Sequence, residues 1–179
     1  MTPTTTPTTT AADSPGPACR TDVIDAYVFR LPAPTRVGAA ELLQVRRTRE
    51  PMLATWQPVM GHIEQGERAS DTLGRELAEE LSLDLASTAV LGVWALEQVH
   101  GFFLPELDAI FFSPRFAVQV DTAWEPVLNE EHDAHRWVPI DHASRAFMWP
   151  GQLASIDELA RFVLPPASPA RDRLRLARD

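Results

Sequence analysis

The sequence predicts one α/β or α+β domain, because extended apolar segments alternate along the chain with two helical segments. The chain has 179 residues, of which 45% are hydrophobic and 23% charged, and this length and composition suit one packed core. Residues 1–21 are rich in Thr and Pro and are expected to be disordered. Residues 22–164 are expected to form the domain, and residues 165–179 an Arg-rich, solvated tail.

Six segments carry the apolar alternation or the apolar clustering that is typical of strands. Pro32 and Pro34 end the first of these segments, and Pro58 inside the third favours an edge position. The predicted strands are Asp25–Leu31, Ala40–Arg46, Trp56–Met60, Val90–Gln98, Ala109–Val118 and Ala134–Val138.

Two further segments have the spacing of helices. The first helix is predicted over Glu67–Leu83, where apolar residues repeat every four positions on one side, namely Ala69, Leu73, Leu77 and Leu81. The second is predicted from about Gln152 to Val163, with an apolar face of its own.

Composition excludes several classes of protein. The formal net charge of −9 argues against non-specific nucleic-acid binding, which requires neutralisation of phosphates. All 16 basic residues are arginines, which excludes lysine Schiff-base chemistry and a P-loop lysine. Cys19 is the single cysteine, so no internal disulfide or cysteine zinc site is expected. No apolar run approaches the roughly 18 residues of a membrane span and no signal peptide is apparent, so we predict a cytoplasmic protein without a membrane partner.

Charged residues are concentrated on the first predicted helix. Glu76, Glu79 and Glu80 lie three and four residues apart, so their side chains project toward one region. Three like charges in one region repel one another, and a bound cation offsets this repulsion. Hard divalent ions such as Mg²⁺ take oxygen ligands. Glu67, at the junction of loop and helix, can add a fourth carboxylate, and Arg75 can orient these acids. Taken alone, this pattern favours an exposed helix with ion pairs instead.

The residues around these glutamates, from 61 to 83, favour a metal site over an exposed helix with ion pairs. Gly61 and Gly66 permit a tight loop that presents backbone carbonyls to a metal. The segment resembles the Nudix box, in which a glycine and a glutamate precede Arg-Glu, an aliphatic residue, any residue and Glu-Glu. The matching residues are Gly61, Glu67, Arg75, Glu76, Leu77, Glu79, Glu80 and Leu83. Ser82 departs from the box, which has glycine there as a left-handed helix cap.

The resemblance to Nudix proteins implies a fold, a cofactor and a reaction. The implied fold is a mixed β-sheet sandwiched between α-helices, an α/β/α arrangement. The implied reaction is the Mg²⁺- or Mn²⁺-dependent hydrolysis of a nucleoside diphosphate linked to another group. By resemblance, Glu76, Glu79 and Glu80 hold the metal with the help of Glu67 and the Gly61 carbonyl. The catalytic base is a box glutamate or a glutamate in a later loop.

Substrate binding is a candidate role for Arg46, Arg47 and Trp56, which precede the box in the sequence. Arg46 and Arg47 follow the second predicted strand and could meet phosphates, although a solvated strand end explains them equally well. Trp56 could stack on a base, and a core position is the alternative.

A later Glu-His pair, Glu131-His132, completes the set of candidates. Together with the Arg46-Arg47 pair and the segment from Trp56 to Gly61, it resembles the Nudix branch of bacterial dihydroneopterin triphosphate and dATP pyrophosphohydrolases. The diadenosine tetraphosphate hydrolase branch carries a similar pattern. Glu131 is then an extra catalytic and metal-binding carboxylate, with His132 beside the substrate. His132 and His135 lack the further ligands that a zinc site needs.

The sequence therefore predicts a metal-dependent pyrophosphohydrolase of a nucleoside or pterin triphosphate, which releases a monophosphate and pyrophosphate. The alternatives are hydrolysis of a dinucleoside tetraphosphate or another nucleoside diphosphate derivative, and a non-catalytic nucleotide-binding module. Intact Glu76, Glu79 and Glu80 argue against the last of these. The expected partner is the small-molecule substrate, with no nucleic acid or membrane bound, and the chain is expected to be a monomer or a homodimer.

Overall fold

The computed structural model describes residues 16–32, 37–50 and 52–177. In chain order, the strands are β1 (Ala18–Arg20), β2 (Val23–Arg30), β3 (Glu41–Arg47), β4 (Trp56–Gln57), β5 (Val59–His62), β6 (Val90–Ala95), β7 (Gly101–Leu104), β8 (Ala109–Phe112), β9 (Arg115–Val120) and β10 (His132–Pro139). The α-helices are α1 (Ala69–Leu81), α2 (Ala143–Ala146), α3 (Pro150–Glu158) and α4 (Pro169–Leu174). A π-helical turn, Leu159–Val163, follows α3 directly.

The strands form two sheets. The larger sheet has the order β10-β3-β2-β9-β6, with β4 paired to β3 and β5 paired to β2. Its β2 and β9 run parallel and its other pairs are antiparallel, so the sheet is mixed. The smaller sheet has the order β1-β8-β7.

The larger sheet lies between two helical layers because β2 is apolar on both faces. Ile24 and Val28 pack on one face against α1 residues such as Leu77. Phe29 packs on the other face with Ile156 of α3. This arrangement confirms the predicted α/β/α sandwich. No helix within the described parts of the chain combines the length and apolarity that a membrane crossing requires.

Both predicted tails differ from expectation where the structure describes them. Residues 1–15 lie outside the described ranges, but Ala18–Arg20 forms β1 beside β8, so the prediction of disorder is wrong there. The predicted solvated tail packs on the domain through α4. Arg171 lies with its guanidinium 4.7 Å from the Trp94 ring centroid, and Leu176 donates its N–H to the carbonyl of Val93 at 2.9 Å. Arginine stems and guanidinium planes pack well on aromatic rings, which charge pattern alone does not reveal.

The element boundaries also contain corrections. The predicted strand Ala109–Val118 is two strands in different sheets, β8 and β9, because Pro114 between them cannot donate to a ladder. Pro58 likewise separates β4 from β5. Strand β7 was not predicted. The predicted second helix is interrupted, since its last five residues adopt the π-helical turn.

Candidate active site

Strand β5 and helix α1 meet at Gly61 and Glu76. A Cβ atom on Gly61 would overlap the Cγ atom of Glu76, so only glycine lets this glutamate cross the strand. In the loop that follows, Gly66 has a φ of 89°, which suits glycine and turns the chain toward α1. Glycine is therefore needed at position 61 because of a close side-chain contact and favoured at position 66 because of a positive φ.

Arg75 organises the carboxylates at the start of the site. Its Nε donates to Glu67 Oε1 at 2.9 Å, and its Nη1 donates to Glu76 Oε1 at 2.9 Å and to Glu79 Oε2 at 3.2 Å. Its Nη2 donates to the His62 carbonyl at 2.7 Å, which ties the loop to the helix. One guanidinium therefore orients three glutamates, through charge-assisted hydrogen bonds.

Glu67 fastens the loop. Its Oε2 accepts a hydrogen bond from the backbone N–H of Glu64 at 3.0 Å and one from the Thr72 hydroxyl at 2.8 Å. Together with the hydrogen bond from Arg75, these donors lower the pKa of Glu67 to about 2. Both oxygens are thus engaged by protein donors. In this arrangement Glu67 fixes the loop and Arg75, and its predicted contribution to a metal site stays a prediction.

Glu80 is paired with His132. His132 Nε2 lies 2.8 Å from Glu80 Oε2, and the two side chains are only 0% and 5% exposed. Burial raises the pKa of Glu80, and the hydrogen bond from His132 opposes that rise. The expected substrate contact of His132 is therefore corrected, because its buried ring holds a carboxylate instead.

Two charged residues outside the box act on Glu80. The negative charge of Glu131 raises the pKa of Glu80, and the positive charge of Arg47 lowers it, so the fold brings both near this carboxylate. The side chain of Glu131 is 38% exposed, whereas that of its neighbour Glu130 is 82% exposed. Both glutamates contact Arg49.

The three remaining box carboxylates suit a hard cation by their chemistry. Burial raises the pKa of Glu76 to about 7, and the charges of Glu80 and Glu79 add to this rise. A divalent cation relieves that repulsion and takes oxygen ligands. As the side chains lie, no three Asp, Glu, His or Cys residues among the described ones converge on a metal position. Arg75 and His132 hold the carboxylate oxygens in this arrangement.

The other predicted substrate contacts have protein partners. Arg46 forms a two-point ion pair with Asp133, with both distances 2.7 Å. Arg47 donates from Nε to the Arg49 carbonyl at 3.1 Å. The ring of Trp56 has the Arg136 guanidinium 4.3 Å from its centroid. Sequence reasoning assigned no role to Asp133 or Arg136. Both residues lie beside β3 because β10 pairs with β3, and the local sequence does not reveal this pairing.

Comparison with known protein families identifies the class of this chain. The family model described as NUDIX domain matches residues 27–159. The chain therefore belongs to the Nudix family, and it is a hydrolase that acts on phosphorus-containing anhydrides of nucleotide-like substrates.

Two relatives carry the name bis(5'-nucleosyl)-tetraphosphatase (asymmetrical). The protein from Sus scrofa is 26% identical over 113 residues, which are 63% of this chain and 75% of the relative. The protein from Rattus norvegicus is 27% identical over 108 residues, which are 60% of this chain and 71% of the relative.

Solved structures share the fold. The E. coli dihydroneopterin triphosphate pyrophosphohydrolase aligns with a TM-score of 0.64 and 18% identity, over 79% of this chain and 97% of that one. A C. elegans Ap4A hydrolase complex aligns with a TM-score of 0.61 and 15% identity, over 77% of this chain and 93% of that one. At such identities the likeness establishes the fold alone.

Proposed function

We propose that this chain uses Mg²⁺ or Mn²⁺ to hydrolyse a phosphoric anhydride bond in a nucleoside polyphosphate, with a dinucleoside tetraphosphate as the first candidate substrate. The observation that supports the reaction is the carboxylate face of α1, where Arg75 orients Glu76 and Glu79 and His132 orients Glu80. These residues would hold the cation, together with the carbonyl of Gly61.

Each side chain has a distinct task in this proposal. When bound, the cation supplies positive charge that polarises phosphate oxygens and makes a water more acidic. Arg75 keeps Glu76 and Glu79 in position through its two Nη1 contacts. Glu131, which is partly exposed and electrostatically coupled to Glu80, would accept the proton of the attacking water.

The names of the relatives favour the tetraphosphate substrate. Both are called asymmetrical bis(5'-nucleosyl)-tetraphosphatases. Asymmetrical cleavage of such a substrate leaves one nucleoside triphosphate and one nucleoside monophosphate.

Pyrophosphohydrolysis of a nucleoside or pterin triphosphate is the second candidate. It is favoured by the motifs outside the box, namely the segment from Trp56 to Gly61 and the pair Glu131-His132. The products would be a monophosphate and pyrophosphate. The two candidates share the same carboxylates and differ in what the rest of the site must accommodate.

Product analysis separates these candidates. The protein is incubated with diadenosine tetraphosphate, dATP or dihydroneopterin triphosphate, each with Mg²⁺ and with the metal chelated, and products are resolved by ion-exchange chromatography. The first candidate predicts ATP and AMP from the tetraphosphate as the fastest reaction, and the second predicts pyrophosphate from a triphosphate. Glu80→Gln protein is the matched control for contaminating activity. Nucleotide binding without any product in Mg²⁺ would contradict both proposals and favour a non-catalytic module.

A further inference from the structure

A surface cavity of about 310 Å³ lies between β10 and α2. Arg136, His142 and Arg145 supply its polar lining, and its other lining residues are apolar. The volume is at the lower end of the range for small-ligand sites. No acidic residue of the described ranges lines it, although the whole chain carries a formal charge of −9. The cavity therefore concentrates positive charge on an acidic protein.

Arg136 is held at this cavity by neutral partners. Its Nε and Nη2 donate to the Oε1 atom of Gln44 at 2.9 and 2.7 Å, and its guanidinium stacks on Trp56. Gln44 is fully buried, and its own Nε2 donates to the carbonyl of Ala146 at 3.1 Å, which fixes the amide orientation. These contacts orient the guanidinium without cancelling its charge.

No carboxylate among the described residues forms an ion pair with Arg136 or Arg145, in contrast to Arg46 and its partner Asp133. Burial lowers the pKa of Arg136, in keeping with a guanidinium that is partly removed from water and held by a neutral amide. Asp141 approaches His142 at 4.0 Å, but both side chains are largely exposed. The two arginines of the cavity thus have no ion-pair partner within the described chain, and the one nearby carboxylate approaches His142.

We infer that this cavity binds a phosphoryl group at a site separate from the carboxylates of α1. A planar guanidinium offers several N–H donors in a fixed fork, which matches phosphate oxygens. Arg136 approaches from a strand, whereas His142 and Arg145 approach from the turn and helix that follow it. Donors from different directions fit a group with three oxygens better than a planar carboxylate with two.

The site is separate because it lies on the other face of the sheet. Leu43 and Val45 pack in the core cluster that includes α1, so Gln44 between them points to the opposite face, toward Ala146 of α2. Along β10, Arg136 is four residues from His132, which at about 3.3 Å per residue is roughly 13 Å. A phosphoryl group at this cavity therefore does not reach Glu80, which His132 contacts on the α1 side.

The direct test measures binding of inorganic phosphate to protein stripped of divalent metal, by calorimetry and by Tm. Sodium phosphate should raise the Tm more than sodium chloride of the same ionic strength. Arg136→Gln and Arg145→Gln should each weaken phosphate binding by about 10-fold or more, as for the loss of a charge-assisted hydrogen bond. Arg145 is exposed, so its variant tests the site even if Arg136→Gln fails to fold.

The control is Arg173→Gln, which removes one exposed arginine on α4 and should bind phosphate as the wild type does. Glu79→Gln should also bind phosphate normally, which separates this site from the proposed reaction. Equal phosphate affinity in the wild type and in Arg145→Gln would overturn the inference.

A kinetic measurement identifies the source of the phosphoryl group. With a separate ligand, Arg145→Gln leaves the KM for the hydrolysed nucleotide unchanged, and added phosphate alters the rate of the wild type more than that of the variant. A KM increase of about 10-fold in Arg145→Gln would instead make the phosphoryl group part of the substrate, and the separate site would be rejected.

Discussion

The Nε2 atom of His132 lies 2.8 Å from Oε2 of Glu80, across 52 residues of sequence, with both side chains buried. Backbone contacts reinforce this pairing, because Val127 donates its N–H to the carbonyl of Leu81 at 3.1 Å and Asn129 donates to that of Glu80 at 3.3 Å. The loop before β10 is thus fastened to the end of α1. Because of this attachment, Glu131, which directly precedes His132, lies near the carboxylate face of α1.

Replacing His132 with leucine should misplace Glu80 and slow hydrolysis. The change leaves a buried carboxylate without its partner, which costs about 1–3 kcal/mol for an unsatisfied buried group. We expect turnover to fall by about 10-fold or more and the Tm to decrease. The matched control is His135→Leu, because His135 is partly exposed and contacts Glu125 on the surface. Equal turnover in both variants, measured at saturating Mg²⁺, would show that His132 does not position a catalytic carboxylate.

A divalent cation should stabilise the folded protein. Ligands that bind only the native state raise the Tm by mass action, and the carboxylates of α1 repel one another without a cation. Mg²⁺ or Mn²⁺ should therefore raise the Tm more than Na⁺ of equal ionic strength. Glu79→Gln should abolish this difference and reduce turnover by at least ~10²-fold, with the fold retained because Glu79 is largely exposed. An identical rise in Tm with Mg²⁺ and with Na⁺ would mean that both cations act only by charge screening, and the metal site would be rejected.

Ser82 offers a stability prediction away from the chemistry. It ends α1 in the left-handed conformation with a φ of 54°, as expected for the position where the box has glycine. A non-glycine residue is disfavoured there by about 1 kcal/mol. Ser82→Gly should therefore raise the Tm by about 2–4 °C. Ser82→Ala is the control, since it keeps the Cβ atom, and it should not stabilise. A lower Tm for Ser82→Gly would mean that the hydroxyl contact with Val127 outweighs the strain.

Local periodicity predicted the box helix and an α/β or α+β domain, whereas the sandwich was implied by the resemblance to the Nudix family. The four-residue spacing of α1 reports which face of the helix is apolar, whatever lies opposite. The role of Arg75 was similarly accessible, because Glu67, Glu76 and Glu79 are its neighbours on one loop and helix.

Contacts between distant segments were not accessible in this way. The burial of His132 and the pairing of Arg46 with Asp133 depend on the register of β10 against β3, which includes an irregularity between His132 and Ala134. A one-residue shift in register moves every side chain to the other face, so a motif match alone could not decide between substrate contact and burial. The packing of Arg171 on Trp94 has the same origin in tertiary structure.

Stability of the metal-free protein should depend on pH through Glu76. Burial raises its pKa from 4.5 to about 7 in the folded state, so the folded protein binds more protons than the unfolded one between these values. The stability contribution of Glu76 is present at low pH and is lost as the pH rises from about 4.5 to 7. Glu76→Gln should remove this loss, so its Tm should fall less than that of the wild type over that interval.

Glu64→Gln is the control for this pH dependence, because Glu64 is exposed on the loop and should leave the wild-type profile unchanged. The effect of Glu67 is separable, because hydrogen bonds lower its pKa to about 2 and its stabilisation is lost only below pH 4.5. Parallel Tm profiles for the wild type and Glu76→Gln between pH 4.5 and 7 would contradict the pKa assigned to Glu76.

Glu131 and Glu130 provide the sharpest test of the site outside the box. The charge of Glu131 acts on Glu80, and its side chain is 38% exposed, whereas that of Glu130 is 82% exposed. Glu131→Gln should lower kcat strongly and leave KM nearly unchanged, because a proton acceptor acts mainly in the transition state. Glu130→Gln is the matched control and should be mild, since the Glu130 side chain is 82% exposed. Both variants are compared at fixed Mg²⁺. Slow turnover in Glu130→Gln alone would mean that Glu130, and not Glu131, is the proton acceptor. Normal turnover in both variants would mean that the catalytic base is a glutamate of α1.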